Sequence, residues 1–279
     1  LYRFRECMVL RRYSAKTIKA YTSALVRAHG WFQKNKSCSV DGINSADARE
    51  FFMYLMEHRK TSVSAIRMYR FAIHLYFTEA LAKNIDMSFL DGMKTRRKLP
   101  EILTRNEVAR LIGTIRNIKH RTIIALIYAS GLRLSECIKL RVRDVDMAEL
   151  TIHVKNGKGG KDRITVFSAS LRDGLAHCME GKRPGDFVFT SSFENAGQGT
   201  TCLSSRTVQS ILERAAASAG VIKHVTPHLL RHAFATHLLE NGVSIRYIQS
   251  LLGHRNIATT TIYTSVARPS VKGIKSPLP

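Results

Sequence analysis

The sequence predicts a mainly α-helical protein with one small β-hairpin, an α+β fold, divided into two domains. Apolar residues recur at helical spacing along most of the chain, whereas alternation of apolar and polar residues is confined to residues 150–155 and 163–167. Between the two helical regions, residues 91–100 are basic and lack periodicity. We therefore predict a helical domain over residues 1–90, a linker over residues 91–100, and an α+β domain with a C-terminal tail over residues 101–279.

Three helices are expected in the first domain. Ser14 is placed to cap a helix over residues 14–35, Ser45 to cap a second helix, and a third helix is predicted from about Ser62 to Lys83. Helices of this length form a small bundle when each buries one apolar face. The aromatic side chains predicted to lie in its core, rather than to stack on a ligand, are Tyr21, Phe32, Tyr69 and Phe77.

The predicted linker, residues 91–100, combines positive charge with a terminal proline, which is typical of a connection between domains. Its cations either form a solvated hinge or lie along a phosphate backbone. Because the domains on both sides are also basic, we favour the second interpretation. The linker residues predicted to contact a phosphate backbone are Lys94, Arg96, Arg97 and Lys98.

The second domain is predicted to open with a capping box formed by Thr104 and Glu107. Gly131 then interrupts the helical pattern, because glycine favours the end of a helix. The helices predicted in this domain lie near residues 104–116, 119–130, 134–141, 204–219, 227–240, 244–252 and 256–264.

The alternating segments 150–155 and 163–167 flank a glycine-rich run, residues 156–160, and so predict a β-hairpin with a tight tip. Lys158 stands between two glycines at this tip. The glycines let a ligand approach the backbone closely, and a lysine there can reach into a cleft as a proton donor. A lysine without any such role is also common at hairpin tips.

The chain is strongly basic, with 44 Lys/Arg against 21 Asp/Glu among 279 residues and a formal net charge of +23. Residues 1–98 hold 19 basic against 8 acidic residues, and residues 99–279 hold 25 against 13. Both halves are thus expected to bind the same polyanion, with an affinity that falls as salt rises because binding releases counterions. A generally basic surface without a nucleic-acid role is the alternative.

The cysteines are widely separated and form no CxxC pair, which predicts a reducing cytosol and neither a zinc site nor a disulfide framework. The sequence also lacks a run of 18 apolar residues and a signal peptide, so no membrane partner is expected. The five cysteines are Cys7, Cys38, Cys137, Cys178 and Cys202.

Several polar residues of the second domain have the chemistry to act on a phosphate. His228 and Arg231 stand three apart on a predicted helix that Thr226 caps, so they share one face. A guanidinium matches two phosphate oxygens, and a neighbouring imidazole can donate a hydrogen bond or move a proton. His254 follows Gly253 at a predicted helix end.

Two further positions complete this set. Arg133 lies at a helix junction where Glu136 is spaced to hold its side chain, and Tyr263 follows His254 by nine residues. A tyrosine hydroxyl can serve as a nucleophile once it is activated. Taken singly, each of these residues is equally typical of a surface ion pair, a structural histidine or a packed aromatic.

Together and in chain order, these residues resemble the active site of the tyrosine recombinase (phage integrase) family. The surrounding runs GLRLSE, GKG, HLLRHAFAT and LGH are similar to the family's motifs, and the resemblance covers essentially the whole chain. The spacings of 25 residues from Arg133 to Lys158 and 35 from His228 to Tyr263 also match. The predicted catalytic set is Arg133, Lys158, His228, Arg231, His254 and Tyr263, with Glu136 in support.

The resemblance implies an N-terminal, SAM-like core-binding domain and a catalytic domain that form a C-shaped clamp on DNA. The length of the chain makes it most similar to simple two-domain, Xer-like recombinases. Such an enzyme acts on double-stranded recombination sites as a tetramer, and its C-terminal tail can dock on a neighbouring protomer. It would work in the cytoplasm, associated with the nucleoid. Besides the linker cations, Lys161 is expected to contact DNA.

The resemblance also implies a mechanism. Tyr263 attacks the scissile phosphate to form a 3′-phosphotyrosyl bond, Arg133 and Arg231 hold the non-bridging oxygens, and Lys158 protonates the leaving 5′-oxygen. His228 helps to take the tyrosine proton, and His254 donates a hydrogen bond to the phosphate. Two such exchanges pass through a Holliday junction. The reaction needs no cofactor, metal ion or ATP.

Three other functions share part of this residue set. A type IB topoisomerase has a similar active-site set but makes no junction between two sites. A DNA-binding accessory protein that keeps the fold without catalysis would not need all six catalytic positions filled. A metalloenzyme built on His228, His232 and His237 lacks acidic ligands and an HExxH pattern.

Overall fold

The computed structural model describes residues 1–93, 101–155, 162–191, 201–254, 256–257 and 260–265. The chain forms two compact units, Leu1–Arg97 and Lys98–Pro279. Both are mainly helical, and the second also contains a small antiparallel sheet, so the predicted fold class is confirmed. No helix in the described part of the chain is both long and apolar enough to span a membrane.

In its described residues, 1–93, the first unit packs four α-helices around an aromatic core. Phe32, Tyr69 and Phe77 are buried in that core as predicted, whereas Tyr21 is half-buried at its edge. Burying large rings removes much apolar area from water, which stabilises a unit of this small size. Its helices are α1 Tyr2–Leu10, α2 Ala15–Lys36, α3 Ser45–Glu57 and α4 Val63–Leu75.

Local chemistry sets the ends of these helices, and it corrects two predictions. The Ser14 hydroxyl caps α2 as expected, but Asn44 rather than Ser45 caps α3, through a capping box with Asp47. The predicted third helix is α4 up to Leu75, followed by a π-helical turn at Tyr76–Ala80. Helix α1 was not predicted because it has no side-chain cap and buries only two side chains, one turn apart.

The second unit packs its helices around α6, which is buried on several sides because its apolar residues are not limited to one stripe. The Thr104–Glu107 capping box is present, and Gly131 ends α6 with a φ of 61°. The helices are α5 Arg105–Gly113, α6 Ile118–Ser130, α7 Leu134–Ile138, α8 Arg172–Met179, α9 Ser205–Ser218, α10 Pro227–Glu240 and α11 Ile245–Leu252.

The predicted hairpin belongs to a three-stranded antiparallel sheet in the order β1-β2-β3. Its strands are β1 Val145–Asp146, β2 Thr151–Val154 and β3 Arg163–Val166. Strand β1 was missed because two residues are too few to show alternation. The hairpin register pairs Val154 with Arg163, so Arg163 is the first residue of β3 after the tip.

The C-terminal part of the second unit brings a short segment back onto α10. The helix predicted over residues 256–264 is instead a 3-10 helix at Thr261–Ser265 in the part that is described. Tyr263 from this segment joins Phe234 of α10 and Leu252 of α11 in a small apolar cluster. This packing places the predicted nucleophile against the helix that carries His228 and Arg231.

Candidate active site

Arg133 and Glu136 are fixed by the way α7 begins. Arg133 is the N-cap residue, and the Glu136 carboxylate accepts a hydrogen bond from the Arg133 backbone N–H at 2.8 Å and from its Nη1 at 2.7 Å. The side-chain contact expected from the sequence is therefore present. It holds the Arg133 guanidinium, a quarter exposed, at the N-terminus of a helix, where an anion is also favoured.

A second arginine, which no sequence motif predicts as a site residue, binds the same carboxylate. Arg163 donates from Nη1 to Oε1 of Glu136 at 2.9 Å and from Nη2 to Oε2 at 2.7 Å. Its Nε donates to the Leu251 carbonyl at 2.8 Å. Only its place beside the glycine-rich hairpin tip distinguishes Arg163 in the sequence, and that is a weak signal.

Arg231 is buried, with 2% of its surface exposed, and its guanidinium is held by backbone carbonyls. Nη1 donates to the Gly131 carbonyl and Nη2 to the Leu252 carbonyl, each at 2.6 Å. These carbonyls lie at the C-terminal ends of α6 and α11, so three helices fix one guanidinium. Burial, together with the nearby charge of Arg133, lowers its pKa, but a guanidinium still carries its charge at neutral pH.

Two glycines at the ends of α6 and α11 allow side chains of the site to pack directly against the backbone. A Cβ on Gly131 would lie 2.4 Å from a ring carbon of Phe234, and one on Gly253 would lie 2.8 Å from Cδ of Arg163. Both glycines have φ near +60°, where other residues are strained. From the sequence, each glycine predicts a helix end. The structure adds that each also lies too close to a neighbouring side chain to carry a Cβ.

Glu136 is thus a single carboxylate among three guanidinium groups, since Nη1 of Arg231 lies 3.9 Å from its Oε2. Burial alone would raise the pKa of Glu136, but hydrogen bonds and charge from Arg163, with further help from Arg133, lower it to about 2. The carboxylate is therefore ionised at every working pH. The three guanidinium groups and the carboxylate together carry a net charge of +2 in a largely buried part of the site.

His254 extends this network from the end of α11. Its Nε2 lies 3.2 Å from Nη2 of Arg231, and its Nδ1 lies 2.9 Å from the hydroxyl of Thr260. Because a guanidinium can only donate, Nε2 accepts here and the ring proton is on Nδ1. Burial and the charge of Arg231 lower the pKa of His254 to about 4, so the ring is neutral at pH 7. The Thr260 hydroxyl can donate or accept, so Nδ1 keeps its hydrogen bond in either tautomer, but Nε2 can accept from Arg231 only when the proton is on Nδ1.

Tyr263 lies among the histidines with 2% of its surface exposed. Its ring is stacked on His254 at 6.5 Å between centroids and meets His232 edge to face at 5.3 Å. Burial raises the pKa of Tyr263, and the charges of Arg231 and Arg133 offset only part of that increase. The phenol is therefore protonated at neutral pH and needs a proton acceptor before it can attack.

His228 reaches this group through His232. The two rings, one turn apart on α10, are 4.1 Å apart and nearly perpendicular. Partial burial and the charges of Arg231 and Arg133 lower the pKa of His228, so its imidazole is neutral and able to accept a proton. In the sequence, His232 belongs to the HLLRHAFAT run and to the metalloenzyme alternative; its contact with Tyr263 gives it a place in the site that spacing alone does not reveal.

Of the predicted catalytic residues, five meet in the second unit: Arg133, His228, Arg231, His254 and Tyr263. His237, the third histidine of the metalloenzyme alternative, instead has its Nδ1 2.9 Å from the Tyr128 hydroxyl. The predicted residues that lie outside the described part of the chain are Lys94, Arg96, Arg97, Lys98, Lys158 and Lys161.

The sequence matches the phage integrase family over residues 101–269 and the SAM-like N-terminal domain of phage integrases over residues 1–87. An integrase/recombinase of Escherichia coli is 32% identical, over 98% of this chain and 91% of its own length. The tyrosine recombinase XerA of Thermococcus kodakarensis is 37% identical, over 91% of this chain and 86% of its own length.

Among solved structures, the fold is similar to that of the XerH site-specific recombinase bound to palindromic difH substrate in a post-cleavage complex. The TM-score is 0.74, and the match covers 92% of this chain and 78% of that one at 22% identity. At this identity the likeness concerns the fold alone. The family matches and the two relatives decide the assignment: the chain belongs to the phage integrase family, whose members are tyrosine recombinases that cleave and rejoin DNA.

Proposed function

We propose that this protein is a site-specific recombinase that cleaves and rejoins DNA through a 3′-phosphotyrosyl intermediate. The observation that carries the proposal is the buried phenol of Tyr263 within the field of Arg231 and Arg133, with the neutral rings of His232 and His254 against it and His228 beside His232. Positive charge fixed before the reaction stabilises the charge that grows on a phosphate in the transition state.

In the cleavage step, the Tyr263 hydroxyl oxygen forms a bond to the scissile phosphorus and the bond from phosphorus to the 5′-oxygen breaks. His228 accepts the phenolic proton. It can do so because its lowered pKa leaves the imidazole neutral before the reaction. Arg133 and Arg231 hold the non-bridging oxygens. His254 donates to one of them in the tautomer that carries its proton on Nε2; there Nδ1 accepts from the Thr260 hydroxyl and Nε2 no longer accepts from Arg231.

Lys158 completes the step by giving a proton to the departing 5′-oxygen. The phosphotyrosyl bond keeps the energy of the broken phosphodiester, so the 5′-hydroxyl of a second DNA can reverse the reaction without ATP. We propose that the fixed guanidinium charges supply what a metal ion would otherwise give. Two rounds of exchange pass through a Holliday junction and require four protomers on two duplexes. Since its substrate is DNA, the protein would act at the nucleoid in the cytoplasm.

The proposal is tested on a nicked suicide substrate that contains a site selected from random duplex DNA by the protein itself. We expect a protein–DNA adduct on a denaturing gel, formed equally well in EDTA. Two intact sites should also yield a Holliday junction, which a type IB topoisomerase would not make. Cleavage that stops on chelation and returns with magnesium would rule out the proposed chemistry.

The role of Lys158 is separable from phosphate binding. A Lys158→Ala variant should cleave ordinary DNA slowly but be largely rescued on a substrate with sulfur in place of the 5′-bridging oxygen, because a thiolate leaves without a proton. Single-turnover rates on both substrates give the comparison. Equal defects on the two substrates would mean that Lys158 only contacts the phosphate.

Assembly depends, we propose, on the C-terminal tail binding a neighbouring protomer. Residues 266–279 contain few apolar residues and three prolines, so they have little to bury by themselves. Truncation after Ala267 should preserve binding of one protomer to a half-site and abolish cooperative synapsis in gel-shift assays. A truncated protein that recombines at the wild-type rate would exclude this coupling.

A further inference from the structure

We propose that Arg163 is a positioning residue for DNA cleavage. It holds the Glu136 carboxylate and the end of α11, and so keeps Arg133, Arg231 and His254 in fixed positions relative to one another. The inference rests on the proposed function and extends it to a residue outside the six predicted catalytic positions. Arg163 acts through its neighbours rather than on the phosphate.

The first contact of Arg163 is with both oxygens of Glu136. The two parallel hydrogen bonds, of 2.9 and 2.7 Å, give the planar fork-to-fork geometry that only a guanidinium provides. The Arg163 side chain is 8% exposed and that of Glu136 10% exposed, so neither is free to move as a surface pair would. Glu136 in turn holds the Arg133 guanidinium at 2.7 Å.

The second contact is with the C-terminal turn of α11. Nε of Arg163 binds the Leu251 carbonyl at 2.8 Å, while Arg231 binds the next carbonyl, Leu252, at 2.6 Å. Both carbonyls are near the end of a helix, where the helix itself leaves such groups without a partner. The Arg163 side chain also fills the space beside Gly253. Two guanidinium groups therefore fix the turn from which His254 projects.

The charges explain why one arginine is devoted to this task. Glu136 lies close to both proposed phosphate clamps, 2.7 Å from Arg133 and 3.9 Å from Arg231. Without Arg163, its negative charge would be shared by those two alone, and one unit of positive charge would remain for the phosphate instead of two. Arg163 thus offsets the negative charge of the carboxylate that aligns Arg133.

Lysine is not an adequate replacement. It keeps the charge, but its single ammonium group cannot bind two carboxylate oxygens and the Leu251 carbonyl in the fixed geometry of the guanidinium. Arg163→Lys therefore separates position from charge. We expect it to be almost as slow as Arg163→Met.

The experiment measures single-turnover cleavage of the suicide substrate and half-site affinity for the full-length protein. The variants are Arg163→Lys, Arg163→Met, Glu136→Gln and the double variant Arg163→Met/Glu136→Gln. We expect each single variant to cleave roughly 10- to 100-fold more slowly, by analogy with the partners that orient metal ligands through hydrogen bonds. Half-site affinity should change by less than about threefold, because no phosphate contact is lost.

The double variant gives the decisive comparison. If Arg163 acts through Glu136, the double variant should cleave no more than about threefold slower than the slower single variant, since both changes disrupt one network. Three results would each overturn the proposal. They are a rate loss in the double variant equal to the product of the two single losses, a fall in half-site affinity as large as the fall in rate, and a wild-type cleavage rate for Arg163→Lys.

Folding and function are controlled separately. Arg163→Met leaves a buried carboxylate with less compensation and can destabilise the unit, whereas the double variant removes that charge, so its rate still reports on the proposal. Arg172→Met, an exposed arginine of the same unit, controls for the loss of one positive charge. If the wild type forms no adduct, the proposed function fails; if it cleaves and the Arg163 variants equal it, only this inference fails.

Discussion

A Tyr263→Phe variant is expected to form no covalent DNA adduct while it binds DNA as the wild type does. The substitution removes one oxygen and leaves the ring, which packs against His232 and His254 in a buried cluster. The fold and the charges of Arg133 and Arg231 are unchanged, so the initial complex should form normally. Without the hydroxyl there is no nucleophile, and the defect falls entirely on the chemical step.

The measurement is a denaturing gel of the suicide-substrate reaction beside a gel shift under native conditions. Tyr247→Phe is the matched control, because Tyr247 is 71% exposed and belongs to the same unit. It should form the adduct at the wild-type rate. A protein–DNA adduct that persists in Tyr263→Phe would show that another residue is the nucleophile.

The second large effect is expected for Arg231→Ala. Loss of this guanidinium should slow cleavage by about 100- to 1,000-fold, the range found when one pre-organised donor to a transition-state oxygen is removed. It should also lower the melting temperature, because the Gly131 and Leu252 carbonyls lose a buried donor, at about 1–3 kcal/mol for each unsatisfied group.

Arg214→Ala provides the control for both readouts, since Arg214 is exposed and its Nε contacts only a carbonyl of its own helix among the hydrogen bonds described. Rates are measured well below the melting temperature of the variant, so that unfolding does not add to the kinetic loss. An Arg231→Ala protein that cleaves within threefold of the wild type would remove Arg231 from the mechanism.

Much of the secondary structure followed from local signals. Ser14 and Thr104 cap helices as the sequence predicts, and Ser62 caps the helix predicted to begin near it, because a hydroxyl that accepts a backbone N–H acts through residues close in the chain. The errors fell where the local signal was absent or ambiguous. Helix α1 has no side-chain cap, and the π-helical turn after Leu75 buries Tyr76 and Phe77 in the core of the unit.

The residues of the candidate site likewise fall into those that the sequence identifies and those that only the structure reveals. The order and spacing of its residues identified Arg133, His228, Arg231, His254 and Tyr263, and their roles remain predictions that the proposed variants test. Arg163 and His232 were not identified as site residues. Arg163 binds Glu136 and Leu251, which are 27 and 88 residues away along the chain, so no periodicity or motif spacing indicates the contact.

By itself the sequence determined the family, the helical character and the chemistry that the chain carries, because motifs, caps and charge are local properties. Only the tertiary structure decided how that chemistry is supported: one ionised carboxylate among three guanidinium groups, a turn held by two arginines, and a phenol enclosed by histidines. The physical reason is that burial and Coulomb interactions depend on distance in space. Distant segments must pack before Glu136 is held ionised or the pKa of Tyr263 is raised.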